Sequence, residues 1–279
     1  MSKKRIVSIL AILIVITVFA VISKEQWVLL FYSTILALFP QEIKDFCSKV
    51  LFCNKIRITY SYVFRIEVGA QYLLVRDEHG NNKFHPVGGV YKYYPDLNIS
   101  ELFKVEYDNV HRLTSDTEDD LRLIIDKKDY KRFSEWFASY QDRETINDLG
   151  REFKEELIDT GILDAKIFDK ISYGYLGSNV EKSYNKELKM WQIKRVDVVR
   201  VRLDKPQRDF LNALMELPSD KYVFVRREDI ENGHFHYGNY NYAIATHAIL
   251  ITPCNGLKPM DGMKAGKGFN IQISKSHKG

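Results

Sequence analysis

The first forty residues constrain the chain most, because they are too apolar to lie on the surface of a globular domain. Residues 6–22 are a run of seventeen uncharged, mostly apolar residues, and a second apolar run covers 27–39 and ends at Pro40. The first run is just long enough to cross a bilayer as a helix. The second reaches that length if it continues to about residue 46, since a membrane helix can absorb a proline kink. The pattern predicts a transmembrane hairpin over 1–52, with spans at about 6–22 and 27–46.

Basic residues predict the orientation of this hairpin. They precede the first apolar run and follow the second: Lys3, Lys4, Arg5, Lys44, Lys49, Lys55 and Arg57. The link between the two runs holds one basic residue, Lys24. Because basic residues collect on the cytoplasmic side of membrane segments, the N-terminus and the bulk of the chain are expected in the cytoplasm. A cleaved signal peptide ending near Ala20 and a single-span anchor are the alternatives. Neither apolar run, 6–22 or 27–39, carries a charged residue, so an ion pathway is not expected.

Length and composition are those of a membrane segment followed by a folded domain. The chain has 279 residues, 13% of them aromatic, and a net charge of +4. So small an excess permits an anionic ligand but does not indicate bulk nucleic-acid binding. Cys47, Cys53 and Cys254 have no metal-binding spacing and form no disulfide framework, so we interpret them as reduced thiols.

Periodicity predicts an α+β domain over 57–257, with a mixed central sheet. Strands are expected at 57–68, 71–76, 103–107, 121–125, 196–203, 221–226 and 242–252, and helices at 127–140, 145–158 and 206–217. The aromatic residues Tyr130, Phe133, Trp136 and Phe137 share one face of the first helix and are interpreted as core. The segment 258–279 is rich in Gly and Lys and is expected to be a flexible tail.

Three glutamates on the predicted helix 145–158 are the first candidates for chemistry. Glu155 and Glu156 follow Glu152 by three and four residues. All three therefore project from neighbouring faces of consecutive turns. Carboxylate oxygens suit Mg²⁺ or Mn²⁺, and a metal held there could activate water or neutralise a diphosphate. Arg151 could orient one of them. The alternative is an ordinary solvated helix surface.

The surroundings of these glutamates resemble the Nudix fold. The segment 64–89, FRIEVGAQYLLVRDEHGNNKFHPVGG, resembles the strands and the Pro-x-Gly-Gly turn that precede a Nudix box, and R-E-F-K-E-E at 151–156 resembles its helix. Gly161 with Ile162, and VFVRREDI at 223–230, resemble later parts of that fold. The resemblance implies a Nudix-like α/β/α sandwich over roughly 57–252.

The spacing departs from the Nudix pattern. The pattern places a glutamate six residues after the glycine, where this chain has Pro95, and it places the arginine far closer to Gly89 than Arg151 lies. An insertion of about 91–143 therefore splits the box. Because metal ligands must be held within a fraction of an ångström, the split leaves hydrolase activity in doubt, and the insertion could wall off or reshape the pocket.

A hydrophobic N-terminal pair joined to a split Nudix box is similar to one family, the SMODS-associated Nudix-like effectors of bacterial CBASS antiphage systems. The resemblance implies a multi-pass inner-membrane effector of antiviral defence. Its cytoplasmic domain would sense a cyclic nucleotide made by a partner nucleotidyltransferase (CD-NTase). The membrane segments would then disrupt the inner membrane and kill the cell, which is abortive infection. Self-association and contact with membrane lipid follow from this role.

A cyclic nucleotide needs cations or backbone amides for its phosphates and flat side chains for its bases. The residues expected to bind it are His85, Gly88, Gly89, Tyr91, Arg200, Arg202, Tyr237 and Tyr240. Further candidates of the same kinds are Lys92, Arg226, Arg227, Tyr93, Tyr94 and Tyr242. The aromatic run 234–242 is expected to be a loop over the sheet or, alternatively, a strand edge with surface tyrosines.

Two other functions remain open. One is a membrane-anchored Nudix hydrolase acting on a nucleoside-diphosphate derivative, with Mg²⁺ held by Glu152, Glu155 and Glu156. The other is a tethered binding module without membrane activity. No catalytic residue is assigned under the leading hypothesis.

Overall fold

The structure, a computed structural model, describes residues 54–77, 83–107, 117–237, 240–253 and 256–273. Within these ranges no helix is long and apolar enough to cross a membrane. The predicted spans at 6–22 and 27–46 lie outside the described residues, as do all three cysteines.

Two mixed β-sheets and several short helices form the described domain. The strands are β1 Lys55–Arg65, β2 Glu67–Val68, β3 Gln71–Arg76, β4 Lys83–His85, β5 Gly88–Val90, β6 Glu106–Tyr107, β7 Arg122–Asp126, β8 Lys170–Asn185, β9 Met190–Arg202, β10 Tyr222–Val225, β11 His234–Tyr237, β12 Tyr240–Ile244 and β13 Gly268–Gln272. The α-helices are α1 Ile99–Phe103, α2 Tyr130–Ala138, α3 Gly150–Phe153, α4 Lys205–Met215 and α5 Arg227–Asn232. A π-helical turn, Lys154–Ile158, continues α3, and 3₁₀ turns cover Lys127–Asp129 and Thr246–Ile251.

The larger sheet has the order β13-β8-β9-β1-β7-β6, and β5 also pairs with β1. The smaller has the order β10-β3-β4-β12-β11, with β2 on β3. Strands β1 and β9 run parallel, as do β4 and β12, and the other pairs are antiparallel. Both sheets are therefore mixed, which confirms the predicted α+β class.

An aromatic core fills the space between the larger sheet and its helices. Tyr60 on β1 contacts the rings of Phe133 and Phe137 on α2, with centroids 5.3 and 4.6 Å apart. Both phenylalanines are buried. The aromatic face predicted for this helix is thus core packing, and edge-to-face contacts of this kind add to the free energy of area burial.

Several predicted elements have different limits in the structure. The helix expected over 145–158 begins only at Gly150, because the preceding residues form a turn in which Asp148 N–H bonds to Thr145 O. Strand β8 has no counterpart in the sequence analysis, since its glycines and its polar second half mask the alternation. The strand expected over 242–252 ends at Ile244 and gives way to a 3₁₀ turn. The strand expected over 103–107 is reduced to Glu106–Tyr107.

The prediction of a flexible tail is wrong for residues 258–273. Strand β13 pairs with β8 along five residues, from Gly268 opposite Gly174 to Gln272 opposite Lys170. Asp261 forms a buried ion pair with Arg195, with oxygen and nitrogen 2.6 Å apart. These contacts give the segment partners that its Gly- and Lys-rich composition does not reveal. Residues 274–279 lie outside the described residues.

Phe64 links the central strand to the box helix, and its truncation should destabilise both. The ring is fully buried and lies 5.5 Å from the ring of Phe153 on α3. We expect Phe64→Ala to lower the free energy of unfolding by about 3–5 kcal/mol, the usual cost of an aromatic cavity. Chemical denaturation followed by tryptophan fluorescence measures this. Leu217→Ala, at a 59% exposed position, is the control and should stay within about 0.5 kcal/mol. Equal effects of the two substitutions would contradict the packing described.

Candidate functional site

A large polar cleft of about 1190 Å³ opens above one face of β1 and β9. Side chains of alternate residues along both strands form its floor, because successive side chains of a strand point to opposite faces. The floor residues are Arg57, Thr59, Ser61, Gln192, Lys194 and Val196. The walls come from β4, the glycine turn before and within β5, α3 with its π-helical turn, and the inserted segment.

The glycine turn lies directly against the box glutamates. The backbone N–H of Gly88 donates to Glu156 Oε2 at 3.2 Å. A Cβ on Gly88 would lie 2.2 Å from the carbonyl oxygen of Tyr62, and its φ of +152° also favours glycine. A Cβ on Gly89 would lie 1.8 Å from Glu152 Oε1. The two halves of the split box therefore meet in space, and only glycine lets the carboxylates approach the turn so closely.

Arg151 holds the carboxylates together. Its Nε donates to Glu144 Oε1 at 2.7 Å, and its Nη1 donates to Glu152 Oε1 at 2.6 Å and to Glu155 Oε2 at 3.3 Å. Its Nη2 donates to the carbonyl of Val90 at 3.0 Å, which ties α3 to β5. Burial works against the charged guanidinium, but the hydrogen bond to Glu144 and the nearby carboxylates outweigh it and raise the pKa of Arg151.

Glu144 is a site residue that the sequence analysis missed. It lies just after the inserted segment, where its carboxylate accepts hydrogen bonds from Arg151 and, at 3.0 Å, from the N–H of Lys92. The Nudix pattern places a glutamate six residues after the glycine, where Pro95 stands. The signal that could have revealed Glu144 is its place shortly before Arg151, on the far side of the insertion.

Burial raises the pKa of the two inner carboxyls. The pKa of Glu156 lies well above its ordinary value because of desolvation and then the charge of Glu152. Desolvation also raises the pKa of Glu152, against the opposing charge of Arg151. These directions indicate carboxyls whose negative charge is only partly offset, Glu152 by Arg151 and Glu156 by an amide.

The donor chemistry suits a hard cation, but the arrangement does not form a three-carboxylate site. Arg151 donates hydrogen bonds to Glu152 and Glu155, and the N–H of Gly88 donates to Glu156. Among the described residues, no group of three or more His, Cys, Asp or Glu side chains is placed to hold a metal ion. The magnesium site over Glu152, Glu155 and Glu156 stays a prediction tied to the hydrolase alternative.

Part of the predicted ligand set lines the cleft. His85, Gly88 and Gly89 lie in its wall, together with Lys92, whose Nζ pairs with Asp119 at 2.7 Å. The insertion also supplies Thr117, Asp120 and Arg122 to the lining. The inserted segment therefore forms part of the cleft wall.

The other predicted residues lie elsewhere. Tyr91 is fully buried and donates to Asp197 Oδ2 at 2.9 Å. Arg200 pairs with Glu67 at 3.2 Å, and Arg202 donates to the carbonyl of Gly266. Both arginines lie on the same face of β9 as the cleft floor, but the buried side chain of Val198 separates them from the cleft.

Residues 234–237 and 240–242 lie in the paired strands β11 and β12 at a sheet edge, so the strand-edge alternative is the correct one. Tyr240 is 69% exposed and Tyr242 stacks on Phe235, with ring centroids 5.3 Å apart. The side chain of Tyr237 lies outside the described residues. The remaining candidates also lie away from the cleft lining: Tyr93, Tyr94, Arg226 and Arg227.

The cleft contains further residues that the sequence analysis did not single out. Arg57 donates to Gln192 Oε1 at 3.2 Å across the parallel strands, and Thr59 lies opposite Lys194 in register. His247, in the 3₁₀ turn Thr246–Ile251, faces the same space. Desolvation by burial, and then the charges of His85 and Lys194, lower the pKa of His247 to about 4. Its side chain is also accessible to solvent from the cleft.

A Gly88→Ala substitution tests the contact between the turn and β1. The added Cβ would collide with backbone rather than with a movable side chain, so the β1–β5 pairing must shift. We expect the free energy of unfolding to fall by about 2 kcal/mol more than for Gly161→Ala. Gly161 is the matched control because its φ is +75° and a Cβ there meets no atom within 4 Å, leaving only backbone strain. Similar losses for both variants in a denaturation experiment would argue against the contact.

Asp120 should make stability depend on pH in a defined direction. Desolvation, opposed by Arg122 and Lys92, raises its pKa to about 7, above the ordinary value of an unfolded chain. The folded state therefore binds the proton more tightly, and stability is lost as pH rises from about 4 through 7. We expect Asp120→Asn to stabilise the protein more at pH 8.5 than at pH 5, by roughly 2 kcal/mol.

The matched control for Asp120→Asn is Asp96→Asn, at an exposed position. Denaturation at the two pH values should show the same effect of that control at both. A constant effect of Asp120→Asn across pH would refute the assignment.

Comparison with known proteins agrees with this geometry. No curated protein and no solved structure gives a match to the chain. The SMODS-associated NUDIX domain family matches residues 55–252, which include both sheets except β13, the glycine turn, the inserted segment and the box helix. Because the match covers most of the chain, this protein belongs to the SMODS-associated NUDIX domain family.

Proposed function

We propose that this protein is a membrane effector of a bacterial CBASS-type antiphage system, whose Nudix-like domain binds a cyclic nucleotide in the polar cleft. Membership of the SMODS-associated NUDIX family supports a CBASS-type role. The observation that carries the binding proposal is the cleft itself, where a glycine turn faces a floor bearing Arg57 and Lys194. Phosphodiesters bind to cations such as those on this floor.

The cleft is large enough for such a ligand. Pockets for drug-sized ligands hold roughly 300–1000 Å³, and this one holds about 1190 Å³. Cations on the floor and walls can meet separate phosphates, because Lys194, Arg122 and Lys221 come from different elements. The imidazole of His85 is a flat group on which a base can stack. The stacking tyrosines expected from sequence are not needed for this.

The arrangement of the glutamates supports binding over hydrolysis. Arg151 and Gly88 engage Glu152, Glu155 and Glu156, so these carboxylates stabilise the junction of turn and helix. A cluster held by protein donors in this way can keep its shape without a metal. The box then acts as the wall of a sensor.

Residues 1–52 complete the proposal as a hairpin crossing the bacterial inner membrane twice, with the N-terminus and the domain in the cytoplasm. Ligand binding would promote self-association and rearrange the hairpins in the lipid. The nucleotide would come from a partner CD-NTase. The support for this part is the pair of uncharged runs and the basic residues that flank them.

Proteoliposomes containing the full chain test binding and membrane damage together. A panel of cyclic dinucleotides and trinucleotides is titrated while a dye reports a potassium diffusion potential. We expect at least one cyclic nucleotide to bind and to collapse the potential, and we expect Arg122→Gln in the cleft wall to weaken binding about tenfold. Arg132→Gln, 61% exposed and outside the cleft, is the matched control and should bind normally.

Removing residues 1–52 should abolish the collapse and leave binding intact. Binding that leaves the potential intact would contradict the proposed membrane disruption. No binding across the panel would contradict the proposed cyclic-nucleotide sensor.

A magnesium-dependent hydrolase is the second candidate, favoured by the glutamates that line the cleft. In that case the purified chain turns over a nucleoside-diphosphate derivative with magnesium, and Glu156→Gln abolishes the turnover. Nucleoside-diphosphate derivatives added to the panel distinguish this outcome from sensing by the appearance of cleaved products.

A further inference from the structure

Positive and protonatable groups gather at one end of the cleft. Lys194 stands on its floor, and His85 and His247 stand in its wall. The parallel pairing of β4 with β12 aligns Phe84 with Ile244, and Ala245 N–H donates to Phe84 O at 2.8 Å. The 3₁₀ turn that carries His247 therefore begins beside His85. Residues from three separate parts of the chain are thus brought to one place.

The charges that act most strongly on this group are positive, and the carboxylate next to it is that of Glu181 on β8, the cross-strand partner of Lys194. The charges that act on His247 are those of His85 from β4 and Lys194 from β9, and both oppose its protonation. Strand β1 and helix α5 also pack against this 3₁₀ turn, and neither presents a described charge to His247. Lys194 makes no ion pair with any described residue. Like charges held together without an ion pair favour the binding of an anion.

A hydroxyl beside Lys194 also has an unmet hydrogen bond. Thr59 is the cross-strand partner of Lys194, and its Oγ1 is buried without a hydrogen-bond partner among the described residues. Buried polar atoms are rarely left unpaired, because doing so costs free energy comparable to a lost hydrogen bond. Rotation of the Thr59 side chain toward the cleft would let a ligand oxygen over the floor accept from this hydroxyl and from the ammonium of Lys194 together.

We propose that Lys194, Thr59 and His247, with His85 beside them, form a subsite for one phosphate group, and that binding of the phosphate is coupled to proton uptake by His247. The proposal rests on the proposed function, since it assigns a part of the same cleft to a phosphate of the nucleotide. Lys194 supplies fixed charge, and Thr59 donates a neutral hydrogen bond.

The coupling has a definite sign. A bound phosphate reverses the local field, so it favours the protonated imidazole and raises the pKa of His247 from its low value in the free protein. By linkage, the phosphate must then bind more tightly as pH falls and the proton becomes available. An ordinary lysine contact would show no such dependence.

Histidine NMR on the full chain in detergent micelles, with inorganic pyrophosphate as the probe, tests the subsite without knowing the nucleotide. The chain has seven histidines, and His247→Gln assigns the relevant signal. We expect pyrophosphate to raise the proton affinity of His247 about tenfold or more. In Lys194→Gln, pyrophosphate should bind at least about tenfold more weakly. The pKa of His247 in the free Lys194→Gln protein should also rise, because a repelling charge is gone.

Lys131→Gln is the matched control, because its side chain is 88% exposed on α2, and Lys194→Arg should restore binding. Thr59→Val gives an independent reading should Lys194→Gln disturb the fold, and it should also weaken binding.

Three results would overturn the subsite. They are no pyrophosphate binding at millimolar concentration, binding that leaves His247 unchanged, and unaltered affinity in both Lys194→Gln and Thr59→Val. A cyclic dinucleotide and vesicles of anionic phospholipid, tested on the same signals, separate a nucleotide phosphate from a lipid headgroup. A response to pyrophosphate with no response to any cyclic nucleotide would instead count against the proposed function and leave the subsite standing.

Discussion

The pairing of β1 with its neighbours is the interaction on which the rest of the structure depends. One edge of β1 bonds to β9 in parallel, from Ile56 to Arg65, and the other edge bonds to β7 and then to β5. One face of the strand is buried in the aromatic core, and the other forms the cleft floor. A slip of one residue in this register would exchange the two faces and put charged side chains into the core.

The glycine turn converts that strand pairing into a site. Because β5 is bonded to β1, Gly88 and Gly89 lie flat against it, and α3 can then bring its glutamates onto them without an intervening Cβ. Arg151 spans the junction, bonded to three carboxylates and to the carbonyl of Val90. The guanidinium and the Gly88 amide together offset repulsion among carboxylates that are otherwise close and buried.

The long insertion does not separate the two halves of the box in space. It leaves β5 at Tyr91, forms α1, β6, β7 and α2, and returns at Glu144, whose carboxylate is bonded both to the N–H of Lys92 and to Arg151. Entry and exit of the insertion are therefore tied together beside the cleft. An insertion closed in this manner adds a wall with Asp120 and Arg122 while it keeps the original contact between turn and helix.

Local sequence patterns were sufficient to predict much of the fold and part of the site. The apolar run of β3, the aromatic face of α2, the glycine turn and the spacing of the glutamates were all predictable, because each depends on residues close in the chain. The prediction was wrong where a local pattern is ambiguous. The glycines of β8 hid a long strand, and a Gly- and Lys-rich segment was taken for a tail although β13 pairs with β8.

Of the residues predicted to bind the ligand, those next to the glycine turn line the cleft and the others lie elsewhere. His85, Gly88 and Gly89 line the cleft, whereas Tyr91 points into the core and Arg200 and Arg202 lie beyond Val198. A cation or an aromatic ring in the sequence indicates a capacity to bind phosphate or base. It does not indicate which side of the sheet the group occupies.

The sequence by itself determined the α+β class, the family resemblance and the two halves of the split box, whose meeting in space the structure showed. Only the tertiary structure decided the cleft floor, where Arg57 contacts Gln192 from 135 residues away and Thr59 faces Lys194. It also decided that His247 stands beside His85. The physical reason is that alternation within a strand tells which residues share a face, while the neighbour and register of that strand are set by packing of the whole chain.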